Sequence, residues 1–364
     1  MRSVRVELGA RSYDVHAGPG ALAEAAALIP GIPGCERVAI VSDANVDAAW
    51  GSVAEEAFST VGSTGEVHRL VVHAGETSKS IEVAGRLLED LARRRIRRGD
   101  LLVALGGGMV GDLAGFVASV YQRGMPLVQV PTSLLAQVDA AIGGKTAVNL
   151  SAGKNLTGTF YQPLAVLADT AVLSTLPERE YRSGFGEVAK YGFSFEPDLL
   201  DLLETSGAAI AGRDPELLEE IVGRSAAIKA RVVSSDERDL DDRRIMLNYG
   251  HTLAHALEAL GRYEEWLHGE AVSVGCVFAA ALAREVGMLG DDDVARHHQV
   301  LEGLGLPVRA AFDSAAVQRA WEMDKKYRGG IRWVLLCGLG DSVVMTGVGS
   351  REVASALAEV VADR

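Results

Sequence analysis

The chain has 364 residues, enough for two domains, because a single hydrophobic core rarely extends beyond about 250–300 residues. Its formal net charge of −13 argues against a nucleic-acid-binding surface, and its three widely spaced cysteines form no CxxC pair that could bind zinc. The first residues lack the apolar stretch of a signal peptide, and the longest apolar run, near residues 271–283, is too short to span a bilayer. We therefore expect a cytoplasmic protein that binds neither nucleic acid nor membranes.

The first half of the chain alternates short β-rich runs with helical ones. Residues 81–91 place their apolar side chains on one face of a helix, and residues 4–8 and 13–15 on either side of Gly9 predict a hairpin. Four runs predict strands, because they are short, β-branched and bounded by turns: residues 38–41, 69–72, 101–105 and 127–130. Strands that alternate with helices predict a parallel sheet covered by helices, with the hairpin at its edge.

From about Pro177 onwards the apolar periodicity is mostly helical. Helices are predicted over residues 180–190, 199–203, 217–233, 248–260, 269–285 and 293–301, and a small hairpin over residues 333–337 and 343–345. The predicted fold class is α/β. A Rossmann-like nucleotide-binding domain over residues 1–177 precedes a mostly α-helical domain for metal and substrate over residues 178–364.

A glycine-rich loop follows the predicted strand 101–105. Gly106, Gly107, Gly108 and Gly111 fit the pattern G-x-G-x-x-G, and Asp112 follows at the start of a predicted helix. In that context bare glycines let backbone N–H groups approach a pyrophosphate at the helix N-terminus. Tight packing of the turn would explain the same glycines, so both interpretations stay open here.

The usual ribose-binding acid is absent from its expected place. A dinucleotide fingerprint carries an acidic residue about twenty positions after the glycine loop, and this sequence has none there. Asp43 and Asn45 follow the strand 38–41, and Glu76 and Lys79 follow the next strand. Either pair could bind the ribose hydroxyls instead.

The segment NYGHTLAH carries two histidines four residues apart. His251 and His255 fall on one helix face, but Thr252 stands where a metalloprotease carries its glutamate, which excludes that class. His268 begins the next apolar helix, which an antiparallel pair would bring back towards His251, and Glu187 supplies a carboxylate. Two histidines and a carboxylate make a catalytic zinc set, although a single histidine on a helix is more often a core or surface residue than a metal ligand.

Other polar residues support a functional cleft. Buried charges must be paired or bind a metal, so a helical region with this polar set predicts a cleft: Glu187, Lys190, Lys229, Arg244, Asn248, His251, His255 and His268. In residues 138–155, two glycine turns present Lys145, Asn149, Lys154 and Asn155. A plain surface loop is one interpretation, and binding of an anionic substrate or cofactor is the other.

Several segments resemble the 3-dehydroquinate synthase family, in the family's order and from the first hairpin to about Val348. They are residues 106–115 (GGGMVGDLAG), 129–155, 187–190, 247–255, 267–270 and 323–326 (MDKK). The resemblance implies an enzyme that converts 3-deoxy-D-arabino-heptulosonate 7-phosphate into 3-dehydroquinate and phosphate, a lyase step of the shikimate pathway. Transient oxidation by NAD, β-elimination of phosphate, reduction and an intramolecular aldol closure would make up the reaction.

The resemblance also assigns residues, by position in this sequence. A divalent metal, zinc or cobalt, would be held by Glu187, His251 and His268. NAD would lie against the glycine loop and Asn45, Glu76, Lys79, Asp112, Thr132, Ser133, Leu135, Lys154, Thr175 and Leu176, with Asp139 and Lys145 shared with the substrate. Substrate would contact Asp139, Lys145, Asn155, Lys190, Lys229, Arg244, Asn248, His255 and one or both of Lys325 and Lys326. Arg123 would reach the phosphate site of a neighbouring subunit, which implies a homodimer.

Three rival functions remain at this point. A sister cyclase would act on sedoheptulose 7-phosphate or glucose 6-phosphate, which lack a carboxylate for Arg244, Lys229 and Asn248 to bind, or on an amino analogue of the same sugar acid, which has one. A metal-dependent polyol dehydrogenase would release NADH at every turnover and would need fewer cations. A catalytically inactive nucleotide-binding protein is disfavoured, because no member of the polar set is missing.

Overall fold

A computed structural model describes residues 1–241, 243–323 and 330–362 of the chain. It divides into two compact units, Met1–Pro177 with Arg213–Arg238, and Glu178–Gly212 with Asp239–Arg364. The first segment of the first unit ends at Pro177. Arg213–Arg238 lies in the first unit, whereas the sequence division puts it in the second.

A sheet forms the centre of the first unit. The strands of this unit are β1 (Arg2–Val6), β2 (Tyr13–Ala17), β3 (Arg37–Asp43), β4 (Glu66–Val72), β5 (Leu101–Gly106), β6 (Leu127–Pro131), β7 (Lys145–Leu150), β8 (Gly153–Phe160) and β9 (Ala165–Ala168). Within the described residues, seven of them make one sheet in the order β1-β2-β9-β6-β5-β3-β4, parallel except for the antiparallel pair β1–β2. The predicted Rossmann-like sheet and its edge hairpin are confirmed.

The helices follow, in chain order. They are α1 (Ala25–Leu28), α2 (Ala44–Val46), α3 (Ser52–Phe58), α4 (Ile81–Arg93), α5 (Gly108–Val120), α6 (Glu178–Ser194), α7 (Pro197–Thr205), α8 (Gly207–Ala211), α9 (Pro215–Ser235), α10 (His251–Leu260), α11 (His268–Glu285), α12 (Asp291–Gly303), α13 (Ser314–Met323) and α14 (Ser350–Val360). Short 3-10 or π-helical turns span Gly9–Arg11, Asp47–Gly51, Glu76–Ser78, Tyr121–Arg123, Ala136–Ala140, Thr170–Thr175 and Arg243–Asn248. Within the described part of the chain, no helix is both long enough and apolar enough to cross a bilayer.

Helix α9 belongs to the first unit because its apolar face completes a core there. Ala226, Ala230 and Val233 are buried in one cluster with Val6 of β1 and Val15 of β2. The same periodicity that predicts the helix cannot say which apolar surface it covers. That surface is supplied by strands more than 200 residues earlier in the chain.

The strand order reverses beside β3. After β3 the chain forms β4 on one side of it, and then returns to form β5 on the other side. In open α/β sheets such a switch leaves a crevice outside the carboxyl ends of the two strands, where ligands bind. Asp43 ends β3 and Gly106 ends β5, so the topology directs attention to these two ends.

The second unit is helical and is built around α11. Between Gly269 and Ala283, residues on every face of α11 are buried. This is expected of a helix whose side chains are mostly small and apolar on all faces. It contacts α6, α10, α12 and α14, and also β10 (Trp333–Gly338), which pairs antiparallel with β11 (Asp341–Met345). This is the predicted hairpin.

Candidate active site

The glycine loop of the first unit joins β5 directly to α5. The backbone N–H of Gly111 donates to the carbonyl of Gly107 at 3.0 Å, the first hydrogen bond of the helix. The N–H groups that precede Gly111 in the first turn have no acceptor within the helix, because no earlier helical carbonyl exists. They form the positive end of the helix dipole. This end of α5 is suited to bind a phosphate group.

The positions of the glycine loop are occupied by glycine for different physical reasons. A Cβ on Gly106 would lie 2.5 Å from Cβ of Val110, so packing requires this residue to be a glycine. A Cβ on Gly111 would lie 2.9 Å from Oε1 of Gln129, the end of a flexible side chain. A Cβ on Gly107 would meet only Ser133, at an ordinary 3.4 Å. Packing therefore does not explain why residue 107 is a glycine. A ligand that closely approaches its backbone would explain the absence of a side chain there.

A buried lysine holds the next part of the site together. Nζ of Lys79, which is 4% exposed, lies 2.5 Å from Oδ2 of Asp112 and 2.5 Å from Oδ1 of Asn155. Burial raises the pKa of Asp112 to about 6, although the charge of Lys79 acts in the opposite direction. Asp112 is the fifth residue of α5, so this network holds the N-terminal part of the helix in place.

Glu76 contacts two more residues that were singled out in the sequence, Asn149 and Lys154. Its Oε1 accepts a hydrogen bond from Nδ2 of Asn149 at 2.8 Å and lies 3.5 Å from Nζ of Lys154. Asn149 and Lys154 belong to β7 and β8, which pair as an antiparallel hairpin. The stretch with two glycine turns, for which a surface loop was one of two interpretations, is therefore largely β-structure, and Lys145, at the start of β7, is exposed.

Lys229 stands on α9, in the first unit, and not among the helical residues of the second. Its Nζ lies 2.5 Å from Oδ1 of Asp139. The sequence groups Lys229 with Glu187, but the structure places the two in different units. Its contact with Asp139 follows from the same packing that carries α9 onto β1 and β2.

The remaining predicted cofactor residues have local structural contacts. Asp43 caps α2 by accepting from the N–H groups of Asn45 and Val46 at 2.9 and 3.2 Å. The N–H of Thr132 donates to Gly106 at 2.9 Å, and Oγ of Ser133 accepts from the N–H of Ala136 at 3.3 Å. Thr175 accepts from Trp50 at 2.8 Å, Leu135 and Leu176 are half-buried, and Arg123 is exposed.

A second cluster lies wholly in the second unit. Glu187 of α6 is fully buried, and its Oε1 lies 3.3 Å from Nε2 of His251 and 3.3 Å from Nε2 of His268. The three ligand atoms lie within 4.8 Å of one another. His251 and His268 are the first residues of α10 and α11, so each helix begins at the cluster.

Helix α10 starts later than the sequence predicts. The predicted helix over residues 248–260 is interrupted, because Asn248 ends a 3-10 turn and Gly250 has a φ of +77°, which an L-residue rarely adopts. A Cβ on Gly250 would also lie 2.8 Å from the N atom of Cys276 on α11. The glycine thus lets the start of α10, with His251, approach α11 closely.

Two further glycines, on α6 and α11, allow Glu187 to approach His268. A Cβ on Gly186 would lie 2.2 Å from the carbonyl oxygen of Gly269, and one on Gly269 would clash with the carbonyl of Ser183. Helices α6 and α11 therefore cross with their backbones almost in contact. Glu187 and His268, each next to one of these glycines, meet as a result.

Fixed charges surround the triad. Nζ of Lys190, also buried, donates to Oε2 of Glu187. Burial opposes ionisation of Glu187, but the charges of Lys190 and His251 outweigh it and hold the pKa of Glu187 well below its usual range. Burial likewise opposes a charge on His268, but contacts with Glu187 and Glu258 raise the pKa of this imidazole to about 10.

These residues fit a divalent metal ion. Oε1 of Glu187 is buried and has no hydrogen-bond partner among the described residues, although two imidazole nitrogens lie 3.3 Å away. Zinc ligands at about 2.0–2.1 Å in a tetrahedral site are themselves about 3.3 Å apart. Two nitrogens and one carboxylate oxygen converge as such a site requires.

The other residues predicted for the second unit have varied positions. The ring of His255 lies 5.3 Å from that of His251, edge to face. Arg244 is buried and Asn248 is exposed, both on the turn before α10. Lys325 and Lys326 lie outside the described residues.

Two glutamates near the triad make contacts that were not predicted. Glu258 lies 3.4 Å from Nδ1 of His268, and Glu270 accepts from the N–H of Leu267 at 3.0 Å while Arg179 binds its carboxylate through two nitrogens at 2.7 Å. A signal for Glu258 exists in the sequence: it lies seven residues after His251, on the same face of α10.

Comparisons with known proteins show the family of the chain. Two family models match the chain, the 3-dehydroquinate synthase N-terminal model over residues 69–183 and the C-terminal model over residues 184–327. A 3-dehydroquinate synthase of Halorhodospira halophila (strain DSM 244 / SL1) is 42% identical over 363 residues, which cover 99% of this chain and 100% of that protein.

Two solved structures are similar along their whole length. A 2-deoxy-scyllo-inosose synthase complexed with carbaglucose-6-phosphate, NAD+ and Co2+ is 28% identical, with a TM-score of 0.88, over 99% of this chain and 100% of that one. The 2-epi-5-epi-valiolone synthase ValA from Streptomyces hygroscopicus subsp. jinggangensis 5008, with NAD+ and Zn2+ bound, is 29% identical, with a TM-score of 0.86, over 97% of each chain.

The fold and the two clusters define a class of enzyme that joins a Rossmann-like unit with a glycine loop to a helical unit with a metal-ligand triad. Within this class, the chain belongs to the 3-dehydroquinate synthase family. The family resemblance and the fold class predicted from the sequence are both confirmed.

Proposed function

We propose that this chain is a carbon–oxygen lyase that converts 3-deoxy-D-arabino-heptulosonate 7-phosphate into 3-dehydroquinate and inorganic phosphate, with NAD and a divalent metal as cofactors. The observation that carries the proposal is the convergence of Glu187, His251 and His268, with Lys190 behind Glu187, in a chain that is 42% identical to a 3-dehydroquinate synthase along its length. When bound, the metal supplies Lewis acidity at a substrate oxygen, and NAD accepts and returns one hydride.

Within the second unit, Lys190 has two roles in this proposal. Its ammonium group holds Oε2 of Glu187, which leaves Oε1 directed at the two imidazoles. It is also a buried cation close to the triad, and with His255 it is a candidate for moving protons at the substrate. Arg244 and Asn248 would bind substrate oxygens by charge-assisted or neutral hydrogen bonds.

The first unit supplies the nucleotide-binding groups in this proposal. The N-terminus of α5 and the bare backbone at Gly107 would bind the pyrophosphate of NAD. The network of Lys79, Asp112 and Asn155 would keep that helix end in position. Lys145, Lys229 and Asp139 would contact the substrate, with the cations matched to its phosphate and carboxylate.

The acidic sugar is favoured over the substrates of sister cyclases. Sedoheptulose 7-phosphate and glucose 6-phosphate carry no carboxylate, so a cyclase that acts on them has no use for Arg244 and Lys229 as carboxylate-binding cations. Relatives named 3-dehydroquinate synthase are 42% and 44% identical, whereas the two sister synthases of known structure are 28% and 29% identical. An amino analogue of the sugar acid would suit the same cations.

The active form is a homodimer in this proposal. Arg123 is exposed and has a φ of +67°, directly after Gln122 with a φ of +46°, which is costly for two side-chain-bearing residues. Such strain persists where a residue has a function that its position serves. Arg123 would reach the phosphate site of the neighbouring subunit, so R123A should raise the KM for substrate more than it lowers kcat.

The experiment follows inorganic phosphate and NADH absorbance together, with the sugar acid phosphate, NAD and zinc or cobalt. We expect phosphate release without net NADH, abolished by a chelator and by H251A, and retained in the control H298A, which alters a histidine outside the triad. NADH that accumulates with simple polyols, without phosphate, would contradict the proposal and indicate a dehydrogenase. Phosphate release from sedoheptulose 7-phosphate alone would indicate a sister cyclase.

A further inference from the structure

Glu258 stands beside the triad without belonging to it. Its two carboxylate oxygens each lie 3.4 Å from Nδ1 of His268, and the side chain is only 12% exposed. The other ring nitrogen of His268, Nε2, faces Oε1 of Glu187 at 3.3 Å. Glu258 is therefore on the far side of the imidazole from the ligand atoms, and it is not a member of the described ligand group.

This position determines what the carboxylate can do. A carboxylate accepts hydrogen bonds, so it favours the form of His268 that carries its proton on Nδ1. That form leaves the lone pair of Nε2 directed at the triad. A carboxylate behind a ligating imidazole also fixes the ring orientation and increases the basicity of the ligand.

The two imidazoles of the triad differ in this respect. Nδ1 of His251 lies 3.1 Å from the backbone carbonyl of Tyr249, so this ring is oriented by a group that no side-chain substitution removes. His268 begins α11 and is more exposed, at 27% against 11% for His251. Its orientation depends on a side chain of another helix, which makes it the ligand that a single substitution can loosen.

We propose that Glu258 is a positioning residue that holds His268 in the metal-binding tautomer and orientation, and thereby sets the affinity and geometry of the metal site. The inference rests on the metal site of the proposed function. It adds a residue through which the chain tunes that site, and it requires no contact between Glu258 and substrate.

The test uses the full chain, stripped of metal and titrated with Co2+ against a competing chelator. We expect E258A to weaken Co2+ binding by about 10–100-fold, the usual effect of losing such a partner. E258Q keeps a hydrogen-bond acceptor and should recover part of that loss. The visible absorption of bound Co2+ should change in E258A, because the geometry of one ligand changes. The control E302Q alters an exposed glutamate of α12 and should match the wild type in both measurements.

Two outcomes would overturn the inference, and they are distinguishable. If the wild-type chain binds no Co2+, the metal site of the proposed function fails, and the inference with it. If the wild type binds Co2+ and E258A binds it with the same affinity and the same spectrum, only the inference fails. The thermal midpoint of the metal-free E258A protein checks folding, and we expect it to stay within a few degrees of the wild type.

Discussion

Glu187 is a fully buried carboxylate whose partners are all polar or charged. Removal of such a charge from water is expensive, and here Lys190 and two imidazoles compensate for it. Two of these partners, the imidazoles of His251 and His268, also form the candidate metal site with Glu187. Stability and function are thus linked at this one residue.

A prediction for stability concerns the buried ion pair of Glu187 and Lys190. E187Q should abolish metal binding and lower the free energy of unfolding of the metal-free chain by about 3–5 kcal/mol, because it leaves the ammonium group of Lys190 buried without its anion. Denaturant unfolding and Co2+ titration measure the two effects. The double variant E187L/K190M removes both charges and should recover much of the stability while still binding no metal. Equal stability of E187Q and the wild type would contradict this account.

His297 gives a prediction for the pH dependence of stability. It is buried, stacks on Phe193 with ring centroids 3.8 Å apart, and donates from Nδ1 to the carbonyl of Asp293 at 2.8 Å, so Nε2 accepts from Tyr249 at 2.9 Å. Burial lowers the pKa of His297 from 6.5 to about 4. Because the folded pKa is the lower one, its contribution is fully present above pH 6.5 and is lost as the pH falls towards 4.

The expected loss from this residue is about 3 kcal/mol between pH 7 and pH 4, from a shift of about 2.5 units at 1.36 kcal/mol each. Denaturant unfolding at several pH values measures it. The fall in stability should be smaller by about that amount in H297Q, whereas H298Q, one position away on the same helix, should keep the wild-type fall. An unchanged pH dependence in H297Q would show that this histidine titrates normally.

At the scale of elements, backbone contact between helices positions the triad. The crossing of α6 and α11 depends on Gly186 and Gly269, and the approach of α10 to α11 depends on Gly250 and Gly275. An added methyl group at these positions has no space, so the helices must separate. A separation of even about 1 Å disturbs a site in which ligands must lie about 2.0–2.2 Å from an ion.

We therefore predict that G186A weakens Co2+ binding by at least tenfold and destabilises the chain by about 1–3 kcal/mol, as expected of overpacking. Metal titration and thermal unfolding measure these effects. The matched control is G85A, which adds the same methyl group to the exposed face of α4, where no atom lies within 4 Å. It should stabilise the chain by up to about 1 kcal/mol, because alanine favours a helix. Wild-type metal affinity in G186A would contradict the proposed crossing.

Elements with a strong local pattern were predictable from the sequence. The buried runs of β3, β5 and β6 and the amphipathic face of α4 each carry their own periodicity. Strand β9 was missed because it has only four residues, and the hairpin β7–β8 because its glycines and lysines indicate turns. Patterns of this kind show which face of an element is apolar, and they do not show what covers it.

At the scale of the whole molecule, the chain leaves the first unit at Pro177 and returns to it over Arg213–Arg238. We predict that a fragment of residues 1–177 does not fold by itself, because α9 is absent and the buried side chains Val6, Val15 and Val166 become exposed to water. Circular dichroism and a dye that binds exposed apolar surface measure this, with the full chain as the control. Cooperative unfolding of the fragment would contradict the division into units.

Much of the candidate site was also predictable, for a different reason. Glu187, His251 and His268 are ligand types in a helical region where buried charge needs a partner, and the structure brings their ligand atoms together. The individual roles assigned to the NAD and substrate residues stay predictions. Lys229 lies on α9 in the first unit, and the contacts of Glu258 and Glu270 were not predicted, because they depend on which helices meet.

The most direct measurement is the identity of the product. The chain, with NAD and zinc or cobalt, should convert the seven-carbon sugar acid phosphate into a carbocyclic acid that has lost the elements of one phosphoric acid and is at the same overall oxidation level. Mass spectrometry gives the loss, NMR spectroscopy gives the ring, and the NAD spectrum should be unchanged at the end. A product that retains its phosphate, or an oxidised product formed with one NADH per turnover, would contradict the account.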